Sequence, residues 1–198
     1  MIALLPNRTT AQDFYDIDSI QEIRITFTQS NWDYLLDSLA NVGYDRLMAQ
    51  NVTINGVTYD SAGVRYKGNS SYNPNNNKNP LNIGLDYLKN QDHNGYETFK
   101  LSSGFKDPTF AREVIGYEIA RKYMPAPKAN YVKVYINNNF YGLFTSVESV
   151  NKDFWEDHFE TDTNIDFKCD GQFGLPPIFG CPGGGGSALS YLNMDTAC

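Results

Sequence analysis

The sequence predicts an α+β fold, a mainly antiparallel sheet with helices packed on it. Three observations predict it. Short runs alternate apolar and polar side chains through most of the chain. Amphipathic stretches at a helical period interrupt those runs. The turns between neighbouring runs carry Asn-Gly or Asn-Asn-Asn, which join antiparallel strands directly. The 198 residues suffice for one domain with a real core and are too few for two of full size.

Residues 1–17 read as a polar lead-in. In residues 22–28, Ile23, Ile25 and Phe27 share one face and Glu22, Arg24 and Thr26 the other, the pattern of a half-buried strand. Ser30 is placed to cap a helix, with Asp33 as its capping-box partner, and Trp32, Leu35, Leu36 and Leu39 form one stripe. Residues 52–59 read as a hairpin turning at Asn55-Gly56. In residues 63–68, Val64 and Tyr66 point one way, Arg65 and Lys67 the other. Residues 80–86 pair with that strand through Leu81, Ile83 and Leu85, and residues 99–102 form a short strand. Asp107 as N-cap and Pro108 at the first position start a helix that runs to about Tyr123. Its apolar residues spread around the wheel, which predicts burial on more than one side, so Arg112 and Glu113 must be paired or point into a polar cleft. Residues 131–136 and 140–147 form two strands joined at residues 137–139. A helix after Val150 carries Phe154, Trp155, His158 and Phe159. Residues 171–198 are rich in Gly and Pro, with a glycine run at 183–186, and read as a connecting segment.

Composition removes several classes of function. The chain has 16 Lys and Arg against 23 Asp and Glu, a net charge of −7, which is unsuited to general nucleic-acid or anionic-membrane binding. Aromatic residues make up 14%, against disorder. No apolar run approaches the ~20 residues that span a bilayer. The only histidines, His93 and His158, are too far apart in sequence for a histidine-rich zinc centre. Cys169, Cys181 and Cys198 read either as free thiols or as a disulfide between Cys169 and Cys181 with Cys198 left over. Asp162, Asn164 and Asp166 mimic the start of an EF-hand loop, but Phe167 and Phe173 stand where that loop needs Gly and Glu. Asn7, Asn51 and Asn69 begin glycosylation sequons.

Two constellations carry chemistry. Arg65, Lys67 and Lys78 flank the polar loop 68–77, whose amides and hydroxyls include Ser70 and Ser71. That set could hold a polyphosphate, or could be a solvated basic face. Arg112 and Glu113 lie early in the central helix. Glu113 could organise a phosphate-binding lysine, as in protein kinases, or form an ordinary buried ion pair with Lys100 or Lys78. The order of elements also suits a kinase small lobe, a choice periodicity does not make.

The residues themselves carry a resemblance. Gly63-Val-Arg-Tyr-Lys-Gly-Asn-Ser-Ser-Tyr72, Lys78-Asn-Pro-Leu-Asn-Ile83, and the run from Asp107 through Arg112-Glu113, Tyr117 to Tyr123, Asn130-Tyr-Val, Tyr141-Gly-Leu and Val147-Glu148 to Phe154 resemble the CotH family of spore-coat kinases over about residues 18–198. The resemblance implies an atypical, secreted-type protein kinase whose small lobe and hinge occupy residues 18–170, with residues 171–198 crossing into a large lobe. It implies ATP with Mg2+ or Mn2+, transfer of the γ-phosphate to Ser of surface or coat proteins, and a place at the spore or cell surface. Arg65, Lys67 and Lys78 are then expected to bind phosphates under Ser70 and Ser71, with Arg112 beside them and Glu113 holding a lysine. Glu148 is expected near the adenine or ribose. The family's catalytic and metal-binding aspartates are expected beyond residue 198, leaving this chain close to inactive by itself with apolar surface exposed around residues 154–159 and 173–179. Ala188 replaces an Asp common in the family. The other reading of the same fold is a non-catalytic surface or adhesion module.

Overall fold

The computed structural model describes residues 13–161 except 44 and 69. The chain divides into two compact units, residues 1–154 and 155–198. In chain order the elements are β1 (Gln21–Thr26), α1 (Trp32–Val42), β2 (Leu47–Met48), β3 (Asn51–Ile54), β4 (Val57–Asp60), β5 (Gly63–Tyr66), β6 (Leu81–Gly84), β7 (Thr98–Ser102), α2 (Ala111–Ala120), β8 (Ala129–Ile136), β9 (Asn139–Val147) and α3 (Lys152–Phe159). The candidate disulfide of Cys169 and Cys181, the EF-hand-like stretch, the sequon at Asn7 and the glycine run lie outside the described residues.

The expected α+β class, with its likeness to a kinase small lobe, is overturned. Among the described residues the fold is mostly sheet: nine strands in one sheet, ordered β2-β5-β6-β7-β9-β8-β1-β3-β4, against three short helices. The reason lies in the connections. Four of the eight connections between strands are two residues long and leave no length for a helix. Asn55 (φ 48°) and Gly56 (φ 86°) turn β3 into β4, and Asn137 (φ 48°) and Asn138 (φ 66°) turn β8 into β9. Only β1 and β8 pair in parallel.

The main core covers one sheet face. Ile23, Ile25, Val52, Ile54, Val64, Ile83, Phe99, Leu101, Val132, Val134 and Phe144 are fully or almost fully buried there, with Leu36 and Ala40 of α1. Ile23, Ile25, Val64, Ile83, Val132 and Val134 are those that alternation assigned to a shared face. The expected capping box did not form: Asn31 is the N-cap and makes no side-chain cap bond. Asp33 instead accepts a hydrogen bond from the Tyr66 hydroxyl. Phe14 and Tyr15, read as lead-in, are buried: Asn130 donates to the Phe14 carbonyl, and the Phe14 ring meets Phe99 edge-on at 4.7 Å.

His93 lies in the same region. Its Nδ1 is 2.8 Å from the Tyr59 hydroxyl, and its ring faces Phe14 and Phe99. Burial lowers its pKa from the ordinary histidine value, with Asp92 opposing. Below the unfolded value of about 6.5 and down to the folded value, the unfolded chain binds the extra proton. The contribution of His93 is therefore fully present above that window and lost as pH falls through it. Urea unfolding at about pH 7.5 and 5.5 should show a loss in wild type that is reduced in His93→Gln. An equal loss in both would contradict this account.

The central helix is shorter than residues 107–123. Phe110 adopts a left-handed conformation (φ 58°) and α2 begins only at Ala111. Asp107 still caps it from outside: one carboxylate oxygen accepts the Arg112 amide at 3.0 Å, the other the Thr109 hydroxyl at 2.6 Å. Burial on several sides is also corrected. Only Val114 of α2 is buried, against Ala129 and Val147 on the second sheet face, with Tyr117 and Tyr131 beside them, while Ile115 and Ile119 stay exposed. Before α3, Asn151 accepts the Phe154 amide as a cap. Phe154 is buried and Phe159 about half exposed; residues 173–179 fall outside the description.

Candidate functional site

The second sheet face carries the polar chemistry. Strand register places Arg65, Asn82 and Lys100 in one row across β5, β6 and β7, and Ser102 beside Thr145 of β9. Lys67 follows two residues after Arg65 on the same side. Its Nζ donates to Ser102 Oγ at 3.3 Å, and Ser102 Oγ donates to Glu113 Oε1 on α2 at 3.2 Å. Lysine and carboxylate are thus joined through one hydroxyl.

Burial governs the charges of this relay. It pushes the Lys67 ammonium below the ordinary lysine range; the Glu113 charge opposes that shift and the Lys100 charge adds to it. Burial likewise raises the Glu113 carboxyl, against the pull of Lys67 and the Ser102 hydroxyl. Burial thus disfavours the charged form of each group, and a further ion at the site would shift that balance.

Glu113 and Ser102 line a cleft of about 470 Å³, with Ser71, Thr145, Arg112 and the loop 103–107 forming the rest of its wall. Gly104 (φ 75°) makes room at the wall, since a Cβ there would lie 2.5 Å from the Phe110 ring. At the mouth, the exposed Arg112 guanidinium is 3.8 Å from Asp107 and donates to the Lys106 carbonyl at 3.2 Å.

The expected site residues therefore part company. Lys67, Glu113, Ser71 and Arg112 meet at the cleft or its relay. Ser70 is exposed. Arg65 shares the face of Lys67, near Arg46, whose pKa burial and then the Arg65 charge lower. Lys78 turns elsewhere: its Nζ donates to the Leu143 carbonyl at 3.0 Å and sits over the Phe110 and Phe144 rings. It occupies the stretch of β9 that runs on past the last β7 pair at Thr145, where β9 keeps its β8 partner but has none on the β7 side. Glu148 is buried and accepts the Lys128 amide at 2.9 Å, which fixes the end of β9.

Sequence reasoning missed Ser102 and Arg46. Ser102 shared a face with Lys100 by alternation and nothing more marked it. Arg46 donates to the Gly63 and Asn82 carbonyls and to Asn82 Oδ1 at 2.7 Å. The signal for it was Gly63 directly opposite Gly84, a pair that leaves a slot which side chains there would fill. Among the described residues, no three His, Cys, Asp or Glu side chains are grouped to hold a metal ion. No helix there is long and apolar enough to cross a membrane.

Fold and site define a β-rich domain with a half-buried lysine–hydroxyl–carboxylate relay at a polar cleft. The profile of the family described as CotH kinase protein matches residues 64–186, from β5 through all three members of that relay. The match takes in more than half of the sequence, and the chain belongs to the CotH family, a spore-coat family known as atypical kinases. No curated protein matches it.

Proposed function

We propose that this chain is the nucleotide-binding part of a CotH-type protein serine kinase, acting on surface or coat proteins outside the cell or at the spore surface. One observation carries the reading: Lys67 and Glu113 are joined through Ser102 at a cleft whose volume suits a small-molecule ligand. The donor set fits an oxyanion. Lys67 stands behind Ser102, the hydroxyls of Ser71, Ser102 and Ser103 line the wall, and Lys106 and Arg112 stand at the rim. ATP with Mg2+ or Mn2+ would supply the phosphoryl group.

The residues of the chain have separate roles in this reading. Lys67 acts on the phosphates from behind Ser102 and is kept charged by their arrival, because an anion offsets the cost of burying the ammonium. Glu113 holds Lys67 in line through Ser102. Arg65 adds a second cation on the same face, while Lys78 and Glu148 hold the strands that form the walls. Phosphoryl transfer depends chiefly on positioning and charge stabilisation, so this donor set binds and orients.

Calorimetric titration of this chain with ATP, with and without Mg2+ or Mn2+, tests the reading. Saturable binding is expected. A chain that binds no nucleotide under either condition would sink the proposal and leave the non-catalytic surface module standing.

A further inference from the structure

The loop 68–79 is tied down on the side away from the cleft. Tyr72 Oη donates to Asp37 of α1 at 2.9 Å, and the Tyr72 ring lies 5.5 Å from that of Tyr66, whose hydroxyl donates to Asp33 one turn earlier on the same helix. At the far end of the loop, the Asn73 amide donates to Asn79 Oδ1 at 3.1 Å, and the Asn79 amide donates to Tyr141 Oη of β9 at 2.9 Å. Asn79 is buried. Directly before the first anchor sits Ser71, which lines the cleft and packs so closely on Gly68 (φ 96°) that a Cβ there would collide with its hydroxyl. A run of Asn and Ser that reads as flexible is thus held by side-chain bonds to two separate elements.

We propose that α1, through Asp37 and Tyr72, positions this loop against the cleft, so that residues touching no ligand set the affinity for one. The proposal rests on the reading of the cleft as a nucleotide site. Asp37 and Tyr72 are positioning residues: the short helix on the core face fixes where Ser71 stands on the opposite face. The reason is entropic. A loop of ten or so residues loses conformational freedom when a ligand orders it, and a loop already tied has little left to lose.

Two measurements on the same proteins test this: amide hydrogen exchange along the chain, and titration with ATP and Mg2+. Tyr72→Phe and Asp37→Ala should each speed exchange within residues 68–79 by about two- to tenfold, leave β8 and β9 unchanged, and weaken ATP by a similar factor. Asp37→Asn keeps an acceptor for the tyrosine and should restore most of both. Unchanged loop exchange would overturn the tie whatever ATP does. Faster loop exchange with unaltered ATP affinity would overturn the positioning role, as would exchange that rises throughout the sheet. If the wild-type chain binds no ATP, the nucleotide reading and the positioning role fail together, and loop exchange alone still decides whether the tie exists.

Discussion

Replacing Lys67 by methionine is expected to weaken ATP binding by about 1–3 kcal/mol, roughly five- to 150-fold, while leaving the fold intact. Burial depresses the Lys67 ammonium, and its nearest acceptor is a neutral hydroxyl, so in the free protein its charge is poorly compensated. A phosphate oxygen would supply that compensation, and methionine fills the same space without a charge. The pH dependence follows with a definite sign. The folded pKa lies below the ordinary lysine value, so between the two the unfolded chain holds a proton that the folded chain has released. Folding stability from this group therefore rises with pH through that window. ATP affinity runs the other way, falling as pH passes the folded value and Lys67 loses its proton. Titrations between about pH 7 and 10 should show the fall in wild type and a flat profile in Lys67→Met. Wild-type affinity in the mutant would remove Lys67 from the site. Lys78 offers the contrast, since its Nζ is committed to the Leu143 carbonyl and two rings.

Phe99→Ala should be the most damaging single change to stability, at about 3–5 kcal/mol. The ring is completely buried and meets Phe14 at 4.7 Å, with His93 and Tyr96 around it. Its strand, β7, also carries Lys100 and Ser102, so the cavity left behind loosens the floor of the cleft. Phe14→Ala empties part of the same cluster. The double mutant should therefore lose less than the sum of the two singles. Urea unfolding measures all three, and a loss below about 1 kcal/mol for Phe99→Ala would mean that the cluster collapses to fill the gap.

Much of the scaffold was legible because it is local. Alternation separated Val64 and Tyr66 from Arg65 and Lys67, and it put Leu81, Ile83 and Leu85 in the core, since successive strand side chains point to opposite faces. The Asn55-Gly56 and 137–139 turns were read from residues that tolerate positive φ. Two local signals misled. Asp107-Pro108 does mark a helix start, but Phe110 takes a left-handed conformation with its ring packed against Gly104, and the helix waits for Ala111. Ser30 and Asp33 have the spacing of a capping box, yet Asp33 goes to Tyr66, 33 residues away.

The sequence by itself determined most of the strands and turns, which face of the alternating strands meets the core, and the family, through motifs in a fixed order. Tertiary structure decided the rest. The class changed from α+β to mostly sheet because strand neighbours are chosen by long-range pairing: β7 lies against β9 and β1 against β8, joining segments far apart in the chain. The site was decided the same way. Lys67 and Ser102 are 35 residues apart, and Ser102 and Glu113 are 11 apart on different elements. No local period encodes such a meeting. Lys78, near the relay in sequence, was drawn off to a stretch of β9 that β8 pairs on one side and β7 no longer pairs on the other, where its ammonium donates to the Leu143 carbonyl.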